Sequence, residues 1–225
     1  MNTFATGMLI PLLRKEFQLE WRRRHALAGV LLYALSTVFV CYLALQRVDA
    51  AAVWNALLWI TALFASFNAL QRTFQQESGG TFLYLYTLAS PHHVILAKML
   101  YYAALAAVLN MVSFLFLVLF FGTSSFPAID YPQFLVGLLL GSTGLGIALT
   151  FIAGLAFRSG AGNALVAILG FPVLMPLLIT TVRYSQGALA GMEWAENGFN
   201  LLVLLILNGA FLVLSLVLFP YLWRE

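Results

Sequence analysis

Six long apolar runs separated by short polar stretches organise this chain: Ala26–Leu45, Ala51–Leu70, Leu96–Phe121, Phe134–Phe157, Ala164–Val182 and Leu201–Leu222. A membrane-spanning helix needs about 20 largely apolar residues, so each run predicts a span, and no loop between them is long enough for a soluble domain. Before the first run, Ile10, Leu13, Phe17 and Trp21 alternate with Arg14, Lys15, Gln18 and Arg22 at helical spacing, which predicts an amphipathic helix over 9–24 in the membrane interface. A cytosolic extension of the first span would share the basic Arg22–Arg24 run. The expectation is an all-α integral membrane protein, one transmembrane domain over 1–225, with the first run retained as an anchor.

Composition agrees: 63% of the residues are hydrophobic, 8% are charged and mean hydropathy is +0.96, values of a membrane chain. Net charge, +3, matters less than its placement. With the N-terminus in the cytoplasm, Arg14, Lys15, Arg22, Arg23, Arg24, Arg72, Lys98, Arg158 and Arg224 face inward and only Arg47 and Arg183 face outward. That bias predicts six spans with both ends inside. Cys41, the sole cysteine, lies within a span and can form no intramolecular disulfide.

Several positions within the runs carry expectations. Trp54 reads as an interfacial anchor, and Asn110 as a buried amide in need of an interhelical partner or of cargo. Gly137, Gly141 and Gly144 lie in a glycine-rich fourth run, the first two as a G-x-x-x-G pair that predicts close helix packing. Pro172 and Pro176, four apart on one face, remove backbone donors and predict a kinked fifth span that either lines a cavity or adapts to its neighbours. The stretch 183–200 predicts a short interfacial or re-entrant helix on the far side.

The absences are informative. All eight acids (Glu16, Glu20, Asp49, Glu77, Asp130, Glu193, Glu196 and Glu225) fall in loops or at ends, which leaves ion-coupled transport little to work with. A haem held between helices wants paired histidines at depth, but His25, His92 and His93 all lie at the cytosolic edge. His92 and His93 are candidate haem contacts, set against a polar interfacial pair. No catalytic constellation, metal site or resident cofactor is expected, nor any nucleic-acid partner. There is no phosphate-binding loop G-x-x-x-x-G-K-[ST]. Nucleotide energy, if used, therefore comes from a separate subunit.

Attention then falls on Arg72–Lys98, RTFQQESGGTFLYLYTLASPHHVILAK, too polar for lipid and joined to a span at each end. Gly79-Gly80 breaks a helix; Ser90 is placed to cap, and Pro91 to begin, the next. Phe74, Phe82, Leu83, Tyr84, Leu85, Tyr86 and Leu88 offer anchors for a docked partner. The same residues suit a segment lying in the headgroups.

Glu77 followed by Gly80, then Leu88, Pro91 and Leu96-Ala97-Lys98, resembles the pattern between spans two and three of the CcmB family. The basic N-terminal helix, the glycine-rich fourth run and LGFPVLMPLL in the fifth extend the resemblance over nearly the whole chain. The YLYTL segment and the His92-His93 pair are not features of that likeness. The resemblance implies a non-catalytic ABC permease subunit of the bacterial inner membrane, serving cytochrome c maturation as a homodimer. A CcmA-like ATPase would hold ATP and Mg²⁺, beside CcmC- and CcmD-like membrane proteins and, indirectly, a CcmE-like haem chaperone. Haem is then the cargo, or the cycle releases the loaded chaperone. Glu77, Gly80, Phe82, Leu83, Tyr84, Leu85, Leu88, Pro91 and Lys98 would form the ATPase-coupling element. The readings left beside this one are an ABC permease for another hydrophobic cargo, a haem-binding anchor of an electron-transfer complex, and an assembly scaffold.

Overall fold

The computed structural model describes residues 10–18, 24–74, 91–123, 128–158 and 162–223. They form seven helices and, among the described residues, no strand: α1 (residues 10–18), α2 (Arg24–Leu45), α3 (Ala51–Phe74), α4 (Pro91–Phe121), α5 (Tyr131–Arg158), α6 (Gly162–Leu189) and α7 (Trp194–Trp223). Among the described residues five stretches are long and apolar enough to cross a membrane: Ala28–Leu45, Ala51–Leu70, His92–Phe121, Tyr131–Ala156 and Trp194–Leu218. α6 has 28 residues, about 42 Å at 1.5 Å per residue, but its last turns carry Arg183, Ser185 and Gln186. It is not among the five.

The element ends follow from local chemistry. Gln46 takes a left-handed φ of 55° after α2, and Gly122 a φ of 70° after α4, each stopping a helix by the αL route. Asp130 caps α5, its Oδ1 accepting the Gln133 N–H at 3.1 Å. α6 ends in a Schellman motif. Gly191 has φ 70°, Met192 N donates to Gly187 O at 3.0 Å and Gly191 N to Ala188 O at 3.3 Å. The stretch 183–200 is therefore not a separate interfacial or re-entrant helix. It is the end of α6, a capped turn and the start of α7, because the polar residues of 184–186 find partners on other helices, as described below.

α5 is the centre of the bundle. Of its span 67% is buried within the chain, against 17% for the spans of α2 and of α7. It packs most extensively on α4 and α6, then on α7 and α3, while α2 lies against α3 and α4. Its glycines make this possible. A Cβ on Gly137 would strike the Tyr184 ring, one on Gly141 would strike Thr181 and Trp59, and one on Gly144 would strike Asn208. At Gly146 the obstacle is backbone: a Cβ would lie 2.6 Å from Ala103 Cα and from Tyr102 O. α4 and α5 thus touch main chain to main chain.

Trp54 is not an interfacial anchor. It is fully buried, with ring centroids 6.1 Å from Phe114 and 5.9 Å from Phe134. An indole on α3 that faces α4 and α5 gains packing the headgroups do not offer. Pro172 and Pro176 sit inside α6, which continues through both, and both are exposed on the bundle. A small cavity among α3, α4 and α5, lined by Ser66, Tyr102 and Gly146 with apolar neighbours, takes no residue from α6.

Gly146→Ala should destabilise the protein by about 1–3 kcal/mol, since backbone cannot step aside as a side chain does. Gly209→Ala, on α7 with nothing within 4 Å of the added carbon, should be close to neutral. Thermal unfolding in detergent checks the pair. Equal midpoints for the two variants would contradict the backbone contact.

Candidate functional site

The expected coupling stretch joins α3 to α4, and residues 75–90, which include Glu77, Gly80, Phe82, Leu83, Tyr84, Leu85 and Leu88, lie outside the described residues. Its borders are on view. α3 ends at Phe74, and α4 begins at Pro91, whose missing N–H costs nothing at a first helical position. His92 is exposed and His93 half-buried. As successive residues on a helix they diverge by about 100°. Among the described residues no group of three or more His, Cys, Asp and Glu is placed to hold a metal ion.

Lys98, about 10 Å along α4 from Pro91 at 1.5 Å per residue, does not reach out to the headgroups. It is 2% exposed, and its Nζ lies 3.4 Å from Oε1 of Glu16 on α1. Lys15 Nζ approaches the same oxygen at 3.3 Å from a more open position. Glu16, expected in a polar interfacial stretch, is itself 4% exposed. Leu12 and Leu13 are half-buried beside it, whereas Ile10, Arg14 and Phe17 look outward. α1 thus turns a carboxylate toward the bundle and keeps two large apolar side chains outside. Its amphipathicity runs opposite to a helix that simply rests its apolar face on this protein. The ion pair also places α1 at the end of the bundle where α4 begins. A signal for it exists in the sequence: Lys98 is the one charged residue inside the six apolar runs.

Behind that end, polar side chains tie the helices together. Ser185 donates to Asn55 Oδ1 at 2.8 Å and accepts the Trp59 Nε1–H at 2.9 Å. Asn55 Nδ2 in turn donates to Val182 O at 2.9 Å and to Gln186 Oε1 at 3.3 Å, so α3 and α6 are locked at the end remote from Lys98. Near that lock Asn197 Nδ2 donates to Tyr184 O at 2.9 Å, and Asp130 N to Ala188 O at 3.0 Å. In mid-bundle, Asn110 Nδ2 donates to Ser142 Oγ at 3.1 Å and Ser66 Oγ at 3.3 Å, joining α4 to α5 and α3. This is the interhelical partnership that a buried amide needs. Asn208 Nδ2 donates to Leu140 O at 3.0 Å. Both amide atoms of Gln133, the Tyr184 hydroxyl and Asn208 Oδ1 are buried with no hydrogen-bond partner among the described residues.

Among the described residues these contacts form a set of polar ties between helices. Asn55→Leu removes the donor and acceptor that join α3 to α6 and should cost about 1–2 kcal/mol, the upper part of the range for interhelical hydrogen bonds. Val53→Ala, on an exposed position of the same helix, serves as control. Denaturant titration in mixed micelles checks it, and an Asn55 variant no less stable than the control would sink the idea of a lock.

A model of the family described as CcmB protein matches residues 7–223, nearly the whole chain. Comparison with curated proteins gives no match. The family match agrees with a bundle of long apolar helices. On these grounds the chain belongs to the CcmB family, the permease-type membrane component of haem-exporter ABC systems for cytochrome c biogenesis.

Proposed function

We propose that ATP hydrolysis on a separate, CcmA-like subunit drives this permease through residues 75–90, with Glu77, Gly80 and the apolar Phe82–Leu88 segment in the ATPase cleft. The observation that carries this reading is the polar stretch between two long helices, α3 and α4, which ends only a few residues before the buried Lys98. A force applied there enters the bundle directly along α4. The sequence contains no phosphate-binding loop of its own, so ATP and Mg²⁺ belong to the partner and this chain holds no cofactor.

In this reading α6 is the fifth of six spans, and both termini face the cytosol of a bacterial inner membrane. The nine-to-two bias of basic residues supports that orientation. A second copy completes the permease. Ile168, Phe171, Pro172, Met175, Pro176 and Ile179 form an exposed face of α6, and the prolines deprive the carbonyls of Ile168 and Pro172 of their usual intrahelical donors. Lipid offers no donors either, so that face favours a protein neighbour. CcmC- and CcmD-like membrane proteins stand beside the dimer, and the cycle either exports haem or releases a haem-loaded CcmE-like chaperone. His92 and His93 diverge on α4 and do not build an axial pair, so a haem-ligating anchor has no support from their placement.

Glu77→Arg, or a proline introduced within Phe82–Leu85, should abolish co-purification of the nucleotide-binding subunit, or uncouple its ATP turnover, while the chain still inserts in the membrane. Affinity purification of the complex from membranes measures both. A nucleotide-binding subunit retained and normally coupled in both variants would remove residues 75–90 from the mechanism.

A further inference from the structure

Among the described residues two charged side chains are buried, Glu16 and Lys98, and they face each other at 3.4 Å. Desolvating an ion pair costs several kcal/mol per ion, and the mutual attraction offsets this only with good geometry. Such a pair is therefore weak support for stability and better understood as fixing one arrangement against others. Here the arrangement is the seat of α1 on the base of α4. α1 is a short element for such a seat: it has nine described residues, its apolar Ile10 and Phe17 are 70% and 56% exposed, and Leu12 and Leu13 are half-buried.

We propose that Glu16 and Lys98 form a charge clasp that fixes α1 across the first turns of α4, so that α1 and the base of α4 move as one body when residues 75–90 are pushed. Glu16 and Lys98 are positioning residues. They fix α1 against the base of α4 and touch neither nucleotide nor cargo. Lys15, at 3.3 Å from the same carboxylate oxygen and 30% exposed, approaches the clasp from its solvent side. The coupling half of this proposal rests on the ATPase reading above; the clasp itself does not.

The test uses the full-length chain with its co-purifying subunits. Leu12→Cys, on the half-buried side of α1, is introduced with Cys41→Ser, which removes the one native thiol. The maleimide labelling rate at position 12 then reports whether α1 is seated. Glu16→Gln and Lys98→Gln should each raise that rate at least about tenfold, the first because it takes the carboxylate from the buried Lys98 and the second because Glu16 then faces only the more open Lys15. The swap Glu16→Lys with Lys98→Glu keeps the combined reach of the two side chains and should return labelling to near the parent value. ATP turnover by the complex should fall in both single variants and recover in the swap, with the ATPase subunit still bound throughout. Single variants that label like the parent, or a swap that labels as fast as they do, would overturn the clasp. Faster labelling with unchanged ATP turnover would overturn the positioning role. If the parent chain brings down no nucleotide-hydrolysing subunit, the ATPase reading fails instead, and the labelling series still decides for or against the clasp.

Discussion

Polar groups carried into lipid gain most from a partner inside the protein, and this constraint governs how the bundle is put together. Asn55, Asn110, Ser142, Ser185 and Asn197 are all fully buried, each bonded to a neighbouring helix. The apolar side chains cannot choose their neighbours in this way. Leu32, Val108, Leu119, Ile168 and Ile206 are as hydrophobic as the core and are more than half exposed, since lipid solvates them as well as protein does. Polar contacts therefore specify which face of each helix turns inward, and dispersion between closely packed side chains fills in the rest.

Close packing is what allows short amides and hydroxyls to reach. Asn110 meets Ser142 and Ser66 at 3.1 and 3.3 Å because α4 and α5 approach to backbone contact at Gly146. Asn208 likewise reaches Leu140 O where Gly144 leaves room for its side chain. Glycines and amides thus work as pairs, one removing volume and the other supplying direction. The two ends of the bundle are held differently. The end with Asn55, Asp130, Ser185 and Asn197 is fastened by short side chains on backbone, by a cap and by a Schellman turn. The Lys98 end is held by a long, flexible side chain reaching for a carboxylate.

The helices were legible because about 20 apolar residues in a row admit few structures in a membrane. α2 and α3 run Arg24–Leu45 and Ala51–Phe74, close to the runs that predict them. Their faces were not legible, because lipid-facing and buried positions are equally apolar and leave no periodicity to read. Trp54 illustrates the loss: its position near a span end fits an interfacial indole, and only the packing of Phe114 and Phe134 reveals it as core. Glu16 was hidden for another reason, since its partner lies 82 residues away. Gly146 could not be ranked above Gly137 or Gly141 from spacing, because which glycine meets backbone depends on the neighbour and not on the motif. The extension of α6 beyond Val182 was missed because a polar run ends a span only when it has no polar partner within the bundle.

α6 brings these constraints together in one helix. Its inner face carries Thr181, bonded back to Leu177 O at 2.6 Å, and Ser185, bonded across to Asn55 at 2.8 Å. Thr180 likewise closes on Pro176 O at 2.8 Å, supplying a hydroxyl donor to a carbonyl in the stretch that the prolines disturb. The outer face carries the prolines themselves, with Phe171, Met175 and Ile179 exposed around them. Both prolines lie on the exposed side of α6, away from the face that bonds to α3. One face of this helix is thus specified by polar partners, while the other carries apolar side chains and two positions that lack a backbone donor.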